Sequence, residues 1–114
     1  MPTVQTPTAA EPDRLHQLLE EAFASPRLRP APERRSQLEI ALRAEIRRLI
    51  PLVQAQADRI NRGTRAWYSR DRTLADARDE LTQGLSPSSL AACLRLTALA
   101  CMVRTLDEFA GGES

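Results

Sequence analysis

The chain of 114 residues carries 16 arginines, no lysine and 15 acidic residues, which gives a formal net charge of +1. This length predicts one domain whose core folds without disulfides, and the small net charge excludes a global field that attracts nucleic acid or anionic lipid. The absence of lysine excludes Schiff-base and P-loop chemistry. With no signal-peptide features and no apolar run of about 20 residues, we expect a cytoplasmic protein that does not bind membranes.

Residues 1–10 predict a flexible N-terminal tail, because threonine, proline and alanine provide few core-forming side chains. A first helix is predicted over about residues 12–25, where apolar residues recur at intervals of three and four. These residues are Leu15, Leu18, Leu19, Ala22 and Phe23. Pro26, Pro30 and Pro32 are expected to stop this helix and to hinge it to the rest through an extended connector.

The second predicted helix, about residues 33–62, is the longest in the chain. One apolar stripe runs along it, formed by Leu38, Leu42, Ile46, Leu49, Val53, Ala57 and Ile60. Pro51 lies within this run and cannot donate a hydrogen bond to the carbonyl of Arg47. Because the stripe keeps its phase on both sides of Pro51, the pattern predicts one kinked helix. Gly63 then suits the left-handed position after a helix, and Thr64 suits an N-cap.

The third helix, predicted over about residues 65–83, has a thin apolar stripe and is expected to be half exposed. Its stripe consists of Trp67, Leu74, Ala77 and Leu81. The fourth helix is predicted over about residues 87–109, with Ser86 as its N-cap and Pro87 in its first turn. Leu85 and Leu90 suit a hydrophobic staple at this end. Residues 97–103 are apolar on every side, which indicates a helix enclosed by its neighbours.

Because no segment alternates between apolar and polar residues, the chain is predicted to be all-α. The expected architecture is a four-helix bundle with a long, proline-kinked second helix and a central, apolar C-terminal helix. Residues 11–110 are expected to form this single domain, and residues 111–114 a flexible C-terminus.

Two segments of the chain resemble a known family. The sequences LRAEIRRLIPLVQAQADRI, at 42–60, and SSLAACLRLTALACMVRTLDE, at 88–108, resemble small actinobacterial helical proteins of unknown function. Some members of that family are labelled natural-product biosynthesis proteins. The resemblance implies the fold and an accessory role in such a pathway, but no catalytic residues. The chain departs from the family pattern at Leu52, where an acidic residue is expected, and at Met102 and Val103, where smaller residues are expected.

The two cysteines, Cys93 and Cys101, both fall in the fourth predicted helix. Eight residues on a helix correspond to about 12 Å of rise, so these thiols are too far apart for a disulfide. They are not a zinc site either, because zinc needs about four ligands and the only histidine, His16, lies on another helix. Both are therefore expected to be buried packing residues, with a redox or intermolecular role as the alternative for Cys93.

The titratable residues outside this helix predict no enzyme, metal site or cofactor. His16 lies one position off the apolar stripe and four residues before Glu20, a spacing that favours a surface ion pair. Facing Glu-x-x-His motifs of a di-iron bundle and a nucleophile elbow are both missing from the sequence. Asp76, Asp79 and Glu80 cluster on the third helix, where neighbouring arginines favour a solvated cluster over a metal site.

The most distinctive local feature is the segment RINRGTRAWYSRDR at 59–72, which we call the Arg/aromatic patch. Its candidate partner-binding residues are Arg59, Arg62, Arg65, Trp67, Tyr68, Arg70 and Arg72. Arginines beside aromatic rings are typical of protein-binding hot spots and of nucleic-acid contacts. The alternative is structural, with Trp67 packed on the core and the arginines solvated.

The sequence as a whole favours a non-catalytic helical protein that binds another protein or a second copy of itself, with Trp67 at or beside the contact. The resemblance adds an accessory role in an actinobacterial natural-product pathway. The alternative function is a small nucleic-acid-binding regulator that uses the Arg/aromatic patch, which would have to overcome the near-zero net charge.

Overall fold

A computed structural model describes residues 7–84 and 88–111, with side chains from residue 14 onward. It contains four helices, α1 (Pro7–Leu28), α2 (Pro32–Asp58), α3 (Arg65–Leu81) and α4 (Ser89–Gly111), and no strand in the described ranges. The predicted all-α fold of four helices is therefore confirmed. The predicted cap and staple at Leu85, Ser86 and Pro87 lie outside the described residues, as do positions 1–6 and 112–114.

Helix α1 is longer than predicted at both ends. It begins at Pro7, so residues 7–10 of the predicted tail are helical, and it continues through Pro26 to Leu28. Pro26 cannot donate to the carbonyl of Ala22, but the buried Ser25 hydroxyl donates to that oxygen at 2.7 Å. The prediction that Pro26 stops the helix is therefore wrong, because a neighbouring side chain satisfies the carbonyl that proline leaves free.

Helix α1 instead ends at Leu28, and the next residue, Arg29, has a positive φ of 50° and precedes Pro30. The Arg29 Nε donates to the carbonyl of Pro26 at 2.8 Å, which satisfies one acceptor of the last helical turn. Only three residues, 29–31, then connect α1 to α2. The extended connector that the prolines predicted is thus only three residues long.

Helix α2 is one continuous helix with Pro51 inside it, as predicted. Its buried stripe contains the predicted residues Leu38, Leu42, Ile46, Leu49, Val53 and Ala57, and in addition Gln56. The helix ends at Asp58, earlier than predicted, and Ile60 lies in the turn that follows. Gly63 has a φ of +87°, the left-handed conformation that the sequence indicated for it.

Both ends of helix α3 are capped by side chains. The Thr64 hydroxyl accepts a hydrogen bond from the Trp67 backbone N–H at 3.2 Å, which confirms the predicted N-cap. At the other end, Arg43 of α2 donates to the carbonyls of Leu81, at 2.9 Å, and Gln83. These carbonyls have no partner within the helix, so the arginine fixes the C-terminus of α3 to α2.

Helices α2 and α4 form the centre of the molecule, with α1 packed on α4 and α3 packed on α2. In the described ranges α1 and α3 do not contact each other. The molecule measures 46 × 45 × 19 Å, and its short dimension equals about two helix diameters. The predicted central position of α4 is therefore confirmed, and the fold is flat.

Candidate interaction surfaces

Within the Arg/aromatic patch, the structure brings together Arg62, Trp67 and Tyr68. Trp67 is half-buried and packs against the core, while the edge of Tyr68 meets it with ring centroids 5.1 Å apart. The Arg62 guanidinium lies over the Trp67 ring, 6.0 Å from its centroid. The indole is thus held between the core and its own chain neighbours, and Tyr68, 60% exposed, is the aromatic residue open to solvent.

Arg70 belongs to the interior of the molecule more than to this patch. Its Nε donates to the Gln56 Oε1 at 2.9 Å, and its guanidinium lies 4.7 Å from the centroid of the Phe109 ring. The Gln56 side chain is 5% exposed and donates through Nε2 to the Phe109 carbonyl at 2.7 Å. Arg70, Gln56 and Phe109 therefore tie α3, α2 and α4 together at one end of the bundle.

The other predicted members of the patch are Arg59, Arg65 and Arg72, and all three are exposed. Because Arg62 is exposed as well, four arginines and one tyrosine of these seven residues remain at the surface. The sequence places these side chains close together, but it does not show that the bundle uses Arg70 and part of Trp67 for its own packing.

The titratable residues considered for catalysis or metal binding are dispersed. His16 and Glu20 lie 3.2 Å apart and are both exposed, which confirms the predicted surface pair. Asp76 and Asp79 are exposed, whereas Glu80 turns toward α4, where its Oε1 lies 2.5 Å from the Arg95 Nη2. No three His, Cys, Asp or Glu side chains in the described ranges are grouped so that they could hold a metal ion.

The two cysteines differ in exposure. Cys93 is fully buried beside α1, and its carbonyl lies 3.3 Å from the Ser25 hydroxyl. Cys101 is exposed, so the prediction that both thiols are buried is wrong for this residue. Eight residues rotate the helix by about 80°, which is enough to carry a side chain from the core to the surface.

An exposed apolar strip runs along α4, and we call it the outer face of α4. Its exposed and half-exposed residues are Leu90, Ala91, Leu94, Thr97, Ala98, Cys101 and Thr105. Leu90 is 43% exposed and Leu94 is 53% exposed. The prediction that neighbours enclose α4 on every side is therefore wrong, because α1, α2 and α3 cover only part of its circumference.

The outer face of α4 carries no charged side chain. Between residues 90 and 105, all of which are described, the charged residues are Arg95 and Arg104. Arg95 turns toward α3 and pairs with Glu80, whereas Arg104 turns toward α1 and lies 5.0 Å from the centroid of the Phe23 ring. Both charges are thus directed to the sides, and the surface between them is uncharged.

The exposed side of α2 has a different character. Ile40 there is 67% exposed, but it shares this surface with the exposed charged residues Glu33, Arg47, Arg48 and Asp58. Isolated exposed apolar residues among charges are normal for a solvated surface. The outer face of α4 is unusual because its apolar residues are contiguous and unaccompanied by charge.

By length and composition alone, α4 is apolar enough to cross a membrane. Core helices that never meet lipid pass the same test, and α4 supplies seven buried residues to this core, among them Leu96, Leu99 and Val103. The apolar composition of its inner face is therefore explained by packing within the bundle. Packing within the bundle does not explain why the outer face of α4 is apolar as well.

An open groove of about 810 Å³ separates α1 from α2. Its lining includes the apolar residues Leu15, Leu18 and Leu19 of α1, and the charged residues Glu45 and Arg48 of α2. These two charged residues already pair with each other at 2.8 Å. The groove shows that α1 rests mainly on α4 and makes limited contact with α2.

One ion pair nevertheless links α1 to α2. The Arg34 guanidinium meets both carboxylate oxygens of Glu21, with Nε–Oε2 and Nη2–Oε1 distances of 2.6 and 2.5 Å. This hydrogen bonding lowers the pKa of Glu21 below its ordinary value of 4.5 and raises the pKa of Arg34. Both side chains are partly exposed, so the pair positions α1 at a modest energetic gain.

Comparison with known proteins identifies a family to which the chain is similar. The profile of a family described as a family of unknown function (DUF6415) matches residues 6–110, a range that contains α1, α2, α3 and all of α4 except its last residue. No curated protein and no solved structure matches the chain.

Proposed function

The chain belongs to the DUF6415 family of unknown function, and we propose that it is a non-catalytic helical protein that acts by binding another protein chain. The observation that carries this proposal is the outer face of α4. A contiguous exposed apolar strip is typical of a protein-binding surface. The strip is also uncharged, as the centres of protein interfaces tend to be.

Energetics favour a covered outer face. Removing a leucine side chain fully from water is worth about 1.5–3 kcal/mol, and Leu90 and Leu94 are each about half exposed in the isolated chain. A nucleic acid would gain nothing from this strip, because affinity for phosphates depends on arginine and lysine contacts. A protein surface with apolar side chains of its own is the partner that fits.

A photo-crosslinking experiment tests this proposal. A photoreactive benzoylphenylalanine replaces Leu94 in one variant and Ile40, on the exposed side of α2, in a matched control. We expect ultraviolet light to give discrete protein adducts in cells from position 94, and few or none from position 40. Equal adduct yields at both positions, or none at 94, would contradict a protein-binding role for the outer face.

The second candidate function, a nucleic-acid-binding regulator, is favoured by one observation. Arg59, Arg62, Arg65 and Arg72 are exposed, and so is Tyr68 of the same segment. Such binding would weaken steeply with salt, since each phosphate contact releases counterions. Titration of a fluorescent oligonucleotide at two salt concentrations, with wild type and Arg65→Ala, separates this function from protein binding, because the outer face of α4 is untouched in both proteins.

We extend the first proposal to an accessory role in an actinobacterial natural-product pathway, carried out in the cytoplasm. Its support is the resemblance of segments 42–60 and 88–108 to proteins that bear that label. The genes beside the coding sequence test it. Biosynthetic enzymes among the neighbours, and loss of their product when this gene is deleted, are the expected results; an intact product after deletion would remove the pathway from the proposal.

A further inference from the structure

We propose that the chain that covers the outer face of α4 is a second copy of the same protein, with the two α4 helices antiparallel about a two-fold axis. This inference rests on the proposed protein-binding function of that face. It identifies the partner, the register of the contact and the residues that meet.

The sequence of the outer face is complementary to itself when one copy is reversed. If the axis passes between Thr97 and Ala98, then Leu94 of one copy lies opposite Cys101 of the other, and Leu90 lies opposite Thr105. Each leucine thus meets a smaller side chain, and in a two-fold contact each of these pairs occurs twice. At the axis Thr97 meets Ala98, so two small residues allow the helices to approach closely.

Charge also agrees with the antiparallel arrangement. Glu108 is exposed on α4, one turn beyond the uncharged strip. With the axis between Thr97 and Ala98, the carboxylate of Glu108 comes beside the N-terminal end of the partner's α4. The helix dipole is positive there, so the negative charge is favourable. A parallel arrangement would instead place the two Glu108 carboxylates side by side.

A stable dimer needs more area than α4 alone offers, and the flat shape of the molecule allows the neighbouring helices to contribute to the contact. The strip from 90 to 105 is about 24 Å long, and one helix surface is too narrow for the roughly 800 Å² that each partner of a standard interface buries. Arg95 and Arg104 mark where α3 and α1 flank α4 on opposite sides. In a molecule 46 × 45 Å across and 19 Å thick, these flanks extend the contact well beyond α4 itself.

A cysteine substitution tests the register. In Leu94→Cys the introduced thiol faces Cys101 of the partner subunit, and a mild oxidant such as copper–phenanthroline accepts two electrons per disulfide as both thiols lose their protons. We expect rapid formation of a covalent dimer with two such bonds. In the wild-type dimer the two Cys101 residues are separated by about 10 Å along the direction of the α4 helices. A disulfide tolerates only about 7 Å between Cα atoms. Wild type and the control Ile40→Cys should therefore crosslink far more slowly.

Sedimentation analysis across a concentration series tests the dimer without oxidation. Wild type and Ile40→Arg should sediment as dimers, and Leu94→Arg as a monomer with an unchanged helical circular dichroism signal. Because Leu94 is exposed, its substitution leaves the core intact. If Leu94→Arg fails to fold, the crosslinking of Leu94→Cys still tests the dimer.

The outcomes distinguish this inference from the function on which it rests. A wild type that is monomeric at all concentrations, yet gives heteromeric photo-adducts from position 94, overturns the second copy and retains protein binding. A monomer without adducts overturns both, as does a monomer whose α4 binds lipid vesicles instead. Wild-type chains that crosslink through Cys101 as fast as Leu94→Cys overturn the register.

Discussion

At the scale of single residues, Gln56 shows how a buried polar group can hold three helices together. Its oxygen accepts from Arg70 of α3, its nitrogen donates to the Phe109 carbonyl of α4, and it is itself part of α2. Buried polar atoms are stable only with such partners. The apolar stripe of the sequence did not indicate that Gln56 is buried, because a glutamine beside Ala57 is equally compatible with a solvent-exposed position.

We expect Gln56→Leu to lower the free energy of unfolding by about 1–3 kcal/mol, since the Arg70 Nε and the Phe109 carbonyl lose their partners. Urea denaturation followed by circular dichroism measures this change. The matched control is Gln54→Leu, whose hydrogen bonds to Asp58 and Arg78 are exposed; its effect should stay within about 0.5 kcal/mol. Equal effects of both substitutions would show that the Gln56 bridge is not stabilising.

The cysteines provide a second test at this scale. At concentrations low enough to dissociate the proposed dimer, Cys101 should react quickly with a thiol reagent, because it is exposed in the single chain, and Cys93 slowly, because it is buried. We therefore expect one fast thiol per chain in the native state and two in denaturant, measured by release of the Ellman chromophore. Cys101→Ser should abolish the fast reaction. If Cys93→Ser abolished it instead, the assignment of the two environments would be reversed.

At the scale of helices, the periodic apolar stripe predicted the number, order and approximate bounds of the elements. It failed where one side chain compensates for a local rule, as Ser25 does for Pro26. The apolar pattern also failed at α4. A helix that is apolar on every side is expected to have neighbours, but the pattern does not predict their number. The outer face of α4 depends on that number, so it could not be predicted from the sequence.

The contact between α1 and α2 predicts a pH dependence. The pKa of Glu21 is lowered by its hydrogen bonds to Arg34, so the stabilisation is present above the ordinary value of 4.5 and is lost as the pH falls through the lower, folded-state pKa. Glu21→Gln should reduce stability by less than about 1 kcal/mol at pH 7. Below pH 4.5 this difference should shrink toward zero.

Thermal unfolding of wild type and Glu21→Gln at neutral and acidic pH measures this effect. Asp76→Asn, at an exposed carboxylate of α3, is the control and should change the unfolding temperature little. A Glu21→Gln deficit that grew as the pH fell would contradict the ion pair as its cause.

The inner and outer faces of α4 predict opposite responses to the same substitution. Leu99 is fully buried, so Leu99→Asp places a carboxylate in the core at a cost of several kcal/mol and should unfold the protein. Leu94→Asp, on the same helix, should keep the helical signal and the thermal transition of a folded chain while it abolishes self-association. Circular dichroism and sedimentation of the two variants distinguish these results.

At the scale of the whole molecule, the sequence does not predict that the fold is flat. Local composition identified the Arg/aromatic patch, because its residues are adjacent in the chain. The arrangement of α1 and α3 on opposite sides of a central pair depends on contacts between distant segments, such as Ser25 with Cys93. That arrangement makes the molecule thin and exposes one face of α4. A local sequence pattern cannot predict the arrangement.

The position of α4 has a consequence for synthesis. The ribosome produces α1, α2 and α3 before the helix on which α1 rests, and these three provide only limited contacts to one another on the α1 side. At about 5–20 residues per second, the 23 residues of α4 take about 1–5 seconds to follow. During that interval the apolar sides of the first helices are exposed on the nascent chain. We expect chaperones at the exit tunnel to bind there. Helix α1 gains the surface on which it packs only when α4 follows.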